Sequence, residues 1–476
     1  MRYYSTRDSE KKYYSAPEAI CKGLAPDGGL FIPEEIPTLT KEEINAFYGY
    51  EYNQIAAEIL YKFFPELGKE EIAEECKKAY AYPNFDPSPA PVKVCDNMAF
   101  LELWHGPTCA FKDMALQIMP RLLRMSMKYC GETRVAHIVT ATSGDTGKAA
   151  MEGFKDLEQT RITVYYPTDG VSDTQKRQMA TQEGNNVNVI AVRGNFDDAQ
   201  SAVKSIFADE DIKNTAAEQG EFLSSANSIN IARLVPQVAY YVSSYIDLVR
   251  QGFIKEGEIL NVSVPTGNFG DILAGWIAKK MGIPLGRLVC ASNKNRVLTD
   301  FFVTGVYDIR RPFYATTSPS MDILIASNLE RLLCFDFGPA QTKAFMESLK
   351  EDGIFALTKE QLDVLEEEFG CSSCDDDSTA QIIEHIFDEF GYTIDTHTAA
   401  AVMGSKEKCM VVSTASPYKF APAVAQALGI KETTHEALSK HTGTKIPAPL
   451  ADIYKKEIRF TRVVDKADIK KSLYLQ

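Results

Sequence analysis

Five times along this chain a short apolar, β-branched run breaks at a turn rich in Gly, Ser or Thr and passes into an amphipathic helical pattern. VAHIVTAT (135–142) turns through SGDTG into KAAMEGFKDL. RITVYYP (161–167) enters TDGVSDTQKRQMATQ, and VNVIAVRG (187–194) enters NFDDAQSAVKSIFAD. EILNVSVP (258–265) leads through TGNFG into DILAGWIAKKMG, and CMVVSTAS (409–416) leads into PYKFAPAVAQALG. Such alternation predicts an α/β fold of parallel sheets flanked by helices. Ligands in such sheets bind at the carboxyl ends of the strands, where these loops fall.

The rest of the chain sets limits on that fold. Residues 1–95 carry more helical pattern, broken by LAPDGGLFIPEEIP and YPNFDPSPAPV, and predict a separate N-terminal layer. Residues 340–390 read as acidic amphipathic helices forming an outer insertion. A length of 476 residues suits two large domains or about three of ordinary size. The formal charge of −14 is spread along the chain, which argues against nucleic acid as a partner while leaving room for a local cationic pocket. No apolar run is long enough to span a bilayer, so no membrane association is expected. MRYYSTRDSEKKYYS lacks the pattern of a signal or transit peptide, and a cytoplasmic protein is expected. The ten cysteines form no disulfide framework. Cys371 and Cys374 make a CxxC inside GCSSCDDDS without a second pair at metal-ligand spacing, and an exposed acidic loop is expected there rather than a metal or redox site.

The loops carry the chemistry. In HGPTCAFKDMALQ (105–117), Lys112 lies behind a His-Gly-Pro-Thr turn. It reads as a helix-surface lysine, a phosphate-binding cation or a Schiff-base nucleophile. In VPTGNFGD (264–271), Gly267 and Gly270 permit a tight turn and close approach to a ligand. The N–H groups opening the next helix suit a phosphate monoester, although an ordinary βα turn has the same look. TSGDTG with Lys148 resembles a nucleotide P-loop only superficially, because its two glycines are too close together and Ala149 replaces the required hydroxyl residue. Thr142, Ser143 and Thr146 suit a carboxylate, or simply a turn. SANSINIARLVPQ (225–237) gathers Asn227, Ser228, Asn230 and Arg233 at a helix start, more polar groups than capping requires. Ser413 and Thr414 end a strand with hydroxyls able to bond a heterocyclic nitrogen. Cys109 has small, apolar neighbours and reads as a packed thiol. A lysine, a phosphate cradle, a carboxylate loop, an arginine and late hydroxyls together make up the parts required by pyridoxal 5'-phosphate chemistry.

The sequence closely resembles the threonine synthase family. The motifs that carry the resemblance are YYSTR, GLAPDGGLFIPEEIP, HGPTCAFKDMALQ, TSGDTGKAA, NSINIARLVPQ, PTGNFGD, TTSPSMDILIASNLERLL (316–333) and STASPYKF (413–420). The resemblance implies a fold type II, pyridoxal-phosphate-dependent enzyme with an added N-terminal domain over 1–95. A large domain would begin over 96–134 and carry the Schiff-base lysine. A small α/β domain would occupy 135–205, and 206–476 would complete the large domain with a helical insertion near 340–390.

The resemblance also implies roles for particular residues. Lys112 would hold the cofactor and act as the catalytic base. Gly267, Asn268, Phe269, Gly270 and Asp271 would surround the cofactor phosphate, and Thr414 would face the pyridine nitrogen. Thr142, Ser143 and Asp145 match the loop that receives the substrate's α-carboxylate. Thr146, Ser228 and Arg233 would contact the phosphate of O-phospho-L-homoserine. His105 would pack or orient rather than react, and Ser416 stands where many members have histidine. The implied reaction joins O-phospho-L-homoserine and water into L-threonine and phosphate, the last step of threonine biosynthesis. The alternatives are serine/threonine dehydration or β-replacement on the same fold, or a non-catalytic phosphate-ligand binder. A monomer is expected, with a dimer as the alternative, and the absence of a long extra N-terminal region disfavours the allosterically regulated plant-like arrangement.

Overall fold

The computed structural model describes residues 1–474 apart from positions 143, 170, 195, 208 and 406. Two sheets carry the loops singled out above. The first has six strands in the order Phe369–Ser373, Leu285–Ser292, Leu260–Pro265, Cys409–Ser413, Met98–Glu102 and Val92–Cys95. All its neighbours run parallel except the last pair, a hairpin edge. The second has five parallel strands in the order Val463–Val464, Val187–Val192, Thr160–Pro167, Val135–Ala141 and Glu221–Ser224. The parallel sheets expected from the alternation are therefore present. VAHIVTA is buried almost throughout, because helices cover both faces of a parallel sheet and a continuous apolar run suits its strands.

The N-terminal layer is a three-stranded antiparallel sheet with four helices: Ala16–Lys22, Lys41–Phe47, Tyr52–Phe63 and Lys69–Tyr80. Its packing fixes it to the elements that bear the site. Ile59, Leu60, Phe63 and Phe64 are fully buried in the same apolar cluster as Leu116, Leu122 and Val264. Each such side chain contributes roughly 1.5–3 kcal/mol by leaving water, more than any single surface contact of the layer. The Tyr80 hydroxyl donates to the Met114 carbonyl (2.7 Å), on the short helix that Lys112 opens. Asn230 donates to the Ile20 carbonyl (3.0 Å), and Arg7 pairs with Glu330 (2.8 Å).

Two features depart from the sequence reading. The helices expected near 340–390 are present as Lys359–Glu368 and Asp376–Phe390, but Phe369–Ser373 between them is an edge strand of the larger sheet. The exposed acidic loop expected at the CxxC is thereby corrected. Cys371 lies within that strand, and the Cys374 thiol is buried beside Thr379 (3.3 Å). An edge strand with one partner needs little apolar pattern, so FGCSS does not read as a strand. The second sheet also draws strands from Glu221–Ser224 and Val463–Val464, beyond the 135–205 span.

Candidate active site

Four loops leave the carboxyl ends of strands and converge. Lys112 opens a five-residue helix after the loop that follows Met98–Glu102. The Phe111 N–H donates to the Thr414 carbonyl (2.8 Å), and Ala110 bridges Ala415. The lysine loop is thus stitched to the end of the Cys409–Ser413 strand. Its neighbour Asp113 accepts both the backbone N–H and the hydroxyl of Thr108 (2.8 and 2.7 Å), which closes the HGPT turn. Burial raises the Asp113 carboxyl to about 6 despite those bonds.

Asp145 faces Lys112 across this space. Its Oδ2 lies 3.7 Å from the Lys112 ammonium, and its Oδ1 lies 2.8 Å from Lys419 and accepts from Gln175 (3.0 Å). Burial alone would raise the Asp145 carboxyl, but Lys419 and Lys112 together hold it well below the usual carboxylate range. Burial lowers the Lys112 amine to about 8, against the pull of Asp145 and with the help of Lys419 and Arg233. An amine lowered by burial where these loops meet suits a nucleophile and base better than a surface cation.

Lys419 was not singled out by sequence reasoning, although it lies within STASPYKF. It is almost fully buried, and it also donates to the Thr108 carbonyl (2.9 Å). Asp145→Asn should therefore destabilise the fold by about 3–5 kcal/mol in urea denaturation, because Lys419 would remain buried without its counter-charge. The folded Asp145 carboxyl titrates below its unfolded value. The pair's contribution is thus full above the ordinary carboxylate range and fades as acid protonates the group.

The TSGDTG turn is built for close approach. Gly144 has φ +143°, and a Cβ there would meet Gln175 at 2.5 Å. The Thr142 hydroxyl accepts the N–H groups of Gly144 and Gly147 (3.0 and 2.9 Å), holding the start of the Asp145–Phe154 helix. Thr146 follows on that helix, partly exposed. Ser143 lies outside the described residues.

The PTGNFGD loop precedes the eleven-residue helix Gly270–Lys280. A Cβ on Gly267 would stand 2.6 Å from the Ser320 carbonyl oxygen, so only glycine fits beneath the SPSMD loop. Phe269 adopts φ +64° at the helix start, with its ring buried against Phe302 and Phe369. It therefore offers backbone rather than side chain to a ligand. Asn268 is exposed, and its carbonyl accepts from the Asn328 N–H and side chain (3.0 and 3.1 Å). The Asp271 Oδ1 accepts from Tyr240 and Tyr241 (2.6 and 2.7 Å), while its Oδ2 is buried without a hydrogen-bond partner among the described residues. Burial raises this carboxyl to about 6.

Arg233 lies on the short helix Ile231–Leu234, buried, and donates to the Ala226 carbonyl (2.9 Å). Among the described residues it pairs with no carboxylate. Burial lowers it to about 10, still cationic near neutral pH, and its charge acts on Lys112. Ser228 lies beside Ser327 (3.4 Å). Arg331 was also missed by the sequence reading. Fully buried, it donates to the carbonyls of Phe31, Ser228 and Ile229 and to Asn328. It thereby ties the Ser228 segment to the N-terminal layer and, through Asn328, to Asn268.

His105 stands between Glu102 (2.7 Å) and Asp86 (3.0 Å) and stacks on Trp104. Burial would lower it, but the two carboxylates raise it, a setting for a held side chain rather than a base. The Cys109 thiol is buried, and burial pushes it up to about 12.

A glycine-lined cradle at a helix N-terminus, a largely buried lysine whose amine burial lowers and an arginine without a carboxylate partner among the described residues fit a phosphorylated cofactor. The fold and this site define a pyridoxal-phosphate dependent enzyme, and the family description of that name matches residues 95–413. "Threonine synthase N terminus" matches residues 2–80, and "Threonine synthase, C-terminal" matches residues 393–473. The threonine synthase of Pseudomonas aeruginosa is 36% identical, with 97% of this chain and 95% of that protein aligned. Threonine synthase-like 1 of Macaca fascicularis is 40% identical over 92% of this chain, which spans 62% of that protein's length. The crystal structure of the PLP-bound threonine synthase of Brucella melitensis superposes with a TM-score of 0.89 at 35% identity, covering 99% of this chain and 98% of that one. This chain belongs to the threonine synthase family.

Proposed function

We propose that this protein is a threonine synthase, converting O-phospho-L-homoserine and water to L-threonine and phosphate. The observation that carries the reading is Arg233, a buried guanidinium without a carboxylate partner among the described residues, whose charge acts on Lys112. A phosphate on the substrate, beyond the cofactor's own, accounts for this second cationic position. Substrates of dehydration and cysteine synthesis offer no such group.

Lys112 would hold pyridoxal phosphate, with the backbone of Gly267, Asn268, Phe269 and Gly270 around its phosphate, Asp271 behind that loop and Thr414 at the ring. When bound, this cofactor supplies an electrophilic carbon for the Lys112 amine and a π-system that stores carbanion charge. The freed Lys112 amine removes the substrate's Cα proton and then a Cβ proton. Phosphate leaves Cγ with its bonding electron pair, held by Arg233, Ser228 and Thr146. A proton returns to Cγ, the oxygen of water bonds to Cβ while its proton is released, and a last proton returns to Cα. Asp145 holds Lys419 in place and faces the Lys112 amine. Its negative charge leaves the substrate's α-carboxylate to Thr142, Ser143 and the adjoining N–H groups.

We further propose a cytoplasmic protein that acts as a monomer, with a dimer as the alternative. The domain division is that of 1–95, 96–134, 135–205 and 206–476, with the Val463–Val464 strand returning to the smaller sheet. No helix among the described residues is long and apolar enough to cross a membrane.

The test is an assay of purified protein loaded with pyridoxal phosphate. Phosphate and L-threonine should form in equal amounts from O-phospho-L-homoserine. Turnover of serine with no response to phosphohomoserine would replace this reading with the dehydratase.

A further inference from the structure

His397 lies outside every role assigned so far. It belongs to the helix Thr396–Val402, whose N-cap Asp395 is fully buried. Asp395 Oδ2 accepts the His397 backbone N–H (3.0 Å) and faces its Nδ1 (2.7 Å). Its Oδ1 accepts the Thr398 N–H (3.1 Å) and the Thr398 hydroxyl. A carboxylate at Nδ1 places the ring proton there and leaves Nε2 as a lone-pair acceptor. That lone pair takes the backbone N–H of Ser320 (3.1 Å). The residue is 2% exposed and its ring packs on Phe420, with centroids 4.7 Å apart.

Ser320 is where several loops meet. Its hydroxyl donates to Asp145 Oδ2 (3.3 Å), the same oxygen that lies 3.7 Å from the Lys112 ammonium. Its carbonyl oxygen occupies the space above Gly267 that a Cβ would need. The Thr396 hydroxyl pins the same loop three residues earlier, at the Thr317 carbonyl (2.8 Å). An ordinary core histidine satisfies its two nitrogens and stops there. The acceptor end of this one holds the residue that touches both the lysine's counter-ion and the phosphate loop.

Resting on the function proposed above, we infer that His397 is a positioning residue: acting through Ser320, it fixes the SPSMD loop over Gly267 and orients Asp145 toward Lys112. A buried hydrogen bond of this kind is worth about tenfold in an equilibrium when removed. Three variants separate this from simple packing. His397→Leu removes the acceptor, His397→Gln keeps an acceptor oxygen on a side chain of similar reach, and Ser320→Ala keeps the backbone N–H but loses the link to Asp145.

The first readout needs no cofactor: hydrogen exchange in the segment spanning residues 316–322 of the cofactor-free protein. His397→Leu should exchange about tenfold faster there and capture pyridoxal phosphate about tenfold more weakly, with His397→Gln recovering most of both. Ser320→Ala should keep wild-type exchange yet lose about tenfold in kcat with KM little changed, as expected when the orientation of a catalytic group rather than substrate binding is disturbed. Wild-type exchange and cofactor affinity in His397→Leu would overturn the inference. So would a Ser320→Ala enzyme with unaltered kcat, which decides the matter if His397→Leu fails to fold. A wild-type protein inert toward phosphohomoserine would sink the proposed function while leaving the exchange result to judge His397.

Discussion

Lys112→Ala should form no visible absorbance band after incubation with pyridoxal phosphate and should release phosphate from phosphohomoserine at least about 10³-fold more slowly than wild type. The size of the effect follows from the two roles that one amine fills. It is the covalent anchor, and once displaced it is the base. The amine of Lys419 faces the same carboxylate, and it cannot substitute. It is held in place by Asp145 and the Thr108 carbonyl, with essentially no exposed surface. The fold should tolerate the change, because Asp145 keeps its closer partner at 2.8 Å when the one at 3.7 Å is lost. Spectra and rates would be read alongside a thermal melt. A Lys112→Ala protein with full biological activity would point instead to a non-catalytic binder of phosphorylated ligands.

Arg233→Ala should lower kcat/KM for phosphohomoserine by about 10²-fold, the loss of a charge-assisted, bidentate contact, while leaving affinity for pyridoxal phosphate within a few-fold. The stability effect should have the opposite sign. A buried cation with no carboxylate beside it among the described residues costs desolvation, so its removal should leave the melting temperature of the ligand-free protein unchanged or higher. Lost turnover at undiminished stability separates a ligand-binding arginine from a structural one. Equal losses of cofactor and substrate affinity would instead assign Arg233 to the cofactor's own phosphate.

The loops were legible in the sequence because each needs residue types that signal chemistry. Gly267 and Gly144 stand where a side chain would collide, and Lys112 and Arg233 sit on short helices at loop ends, where a bland structural role leaves polar groups unexplained. What sequence could not supply were pairings between distant segments. Asp145 meets Lys419 only because the second sheet's helix faces the end of the first sheet's Cys409–Ser413 strand. Nothing local to either residue predicts it. Arg331 gave no local signal, since its four partners come from two other segments and its own turn. Phe369–Ser373 was missed because edge strands place weak demands on composition. His397 lies in DTHTAAA, where a capping aspartate followed by small residues reads as an ordinary helix start.

The strand Val463–Val464 has a bearing on how the chain is made. It pairs with Val187–Val192, from which it is separated by more than half the sequence. During synthesis the three strands 135–141, 160–167 and 187–192 emerge early and can associate at once. The outer edge of the third must then wait until residues 463–464 have left the ribosome. For that interval the nascent protein displays an unpaired, apolar β-edge, the kind of surface on which chains associate with one another. The segment around Val463–Val464 thus acts as a seal, and its removal should reveal itself first as poor yield and clumping, before any measurement of catalysis is possible.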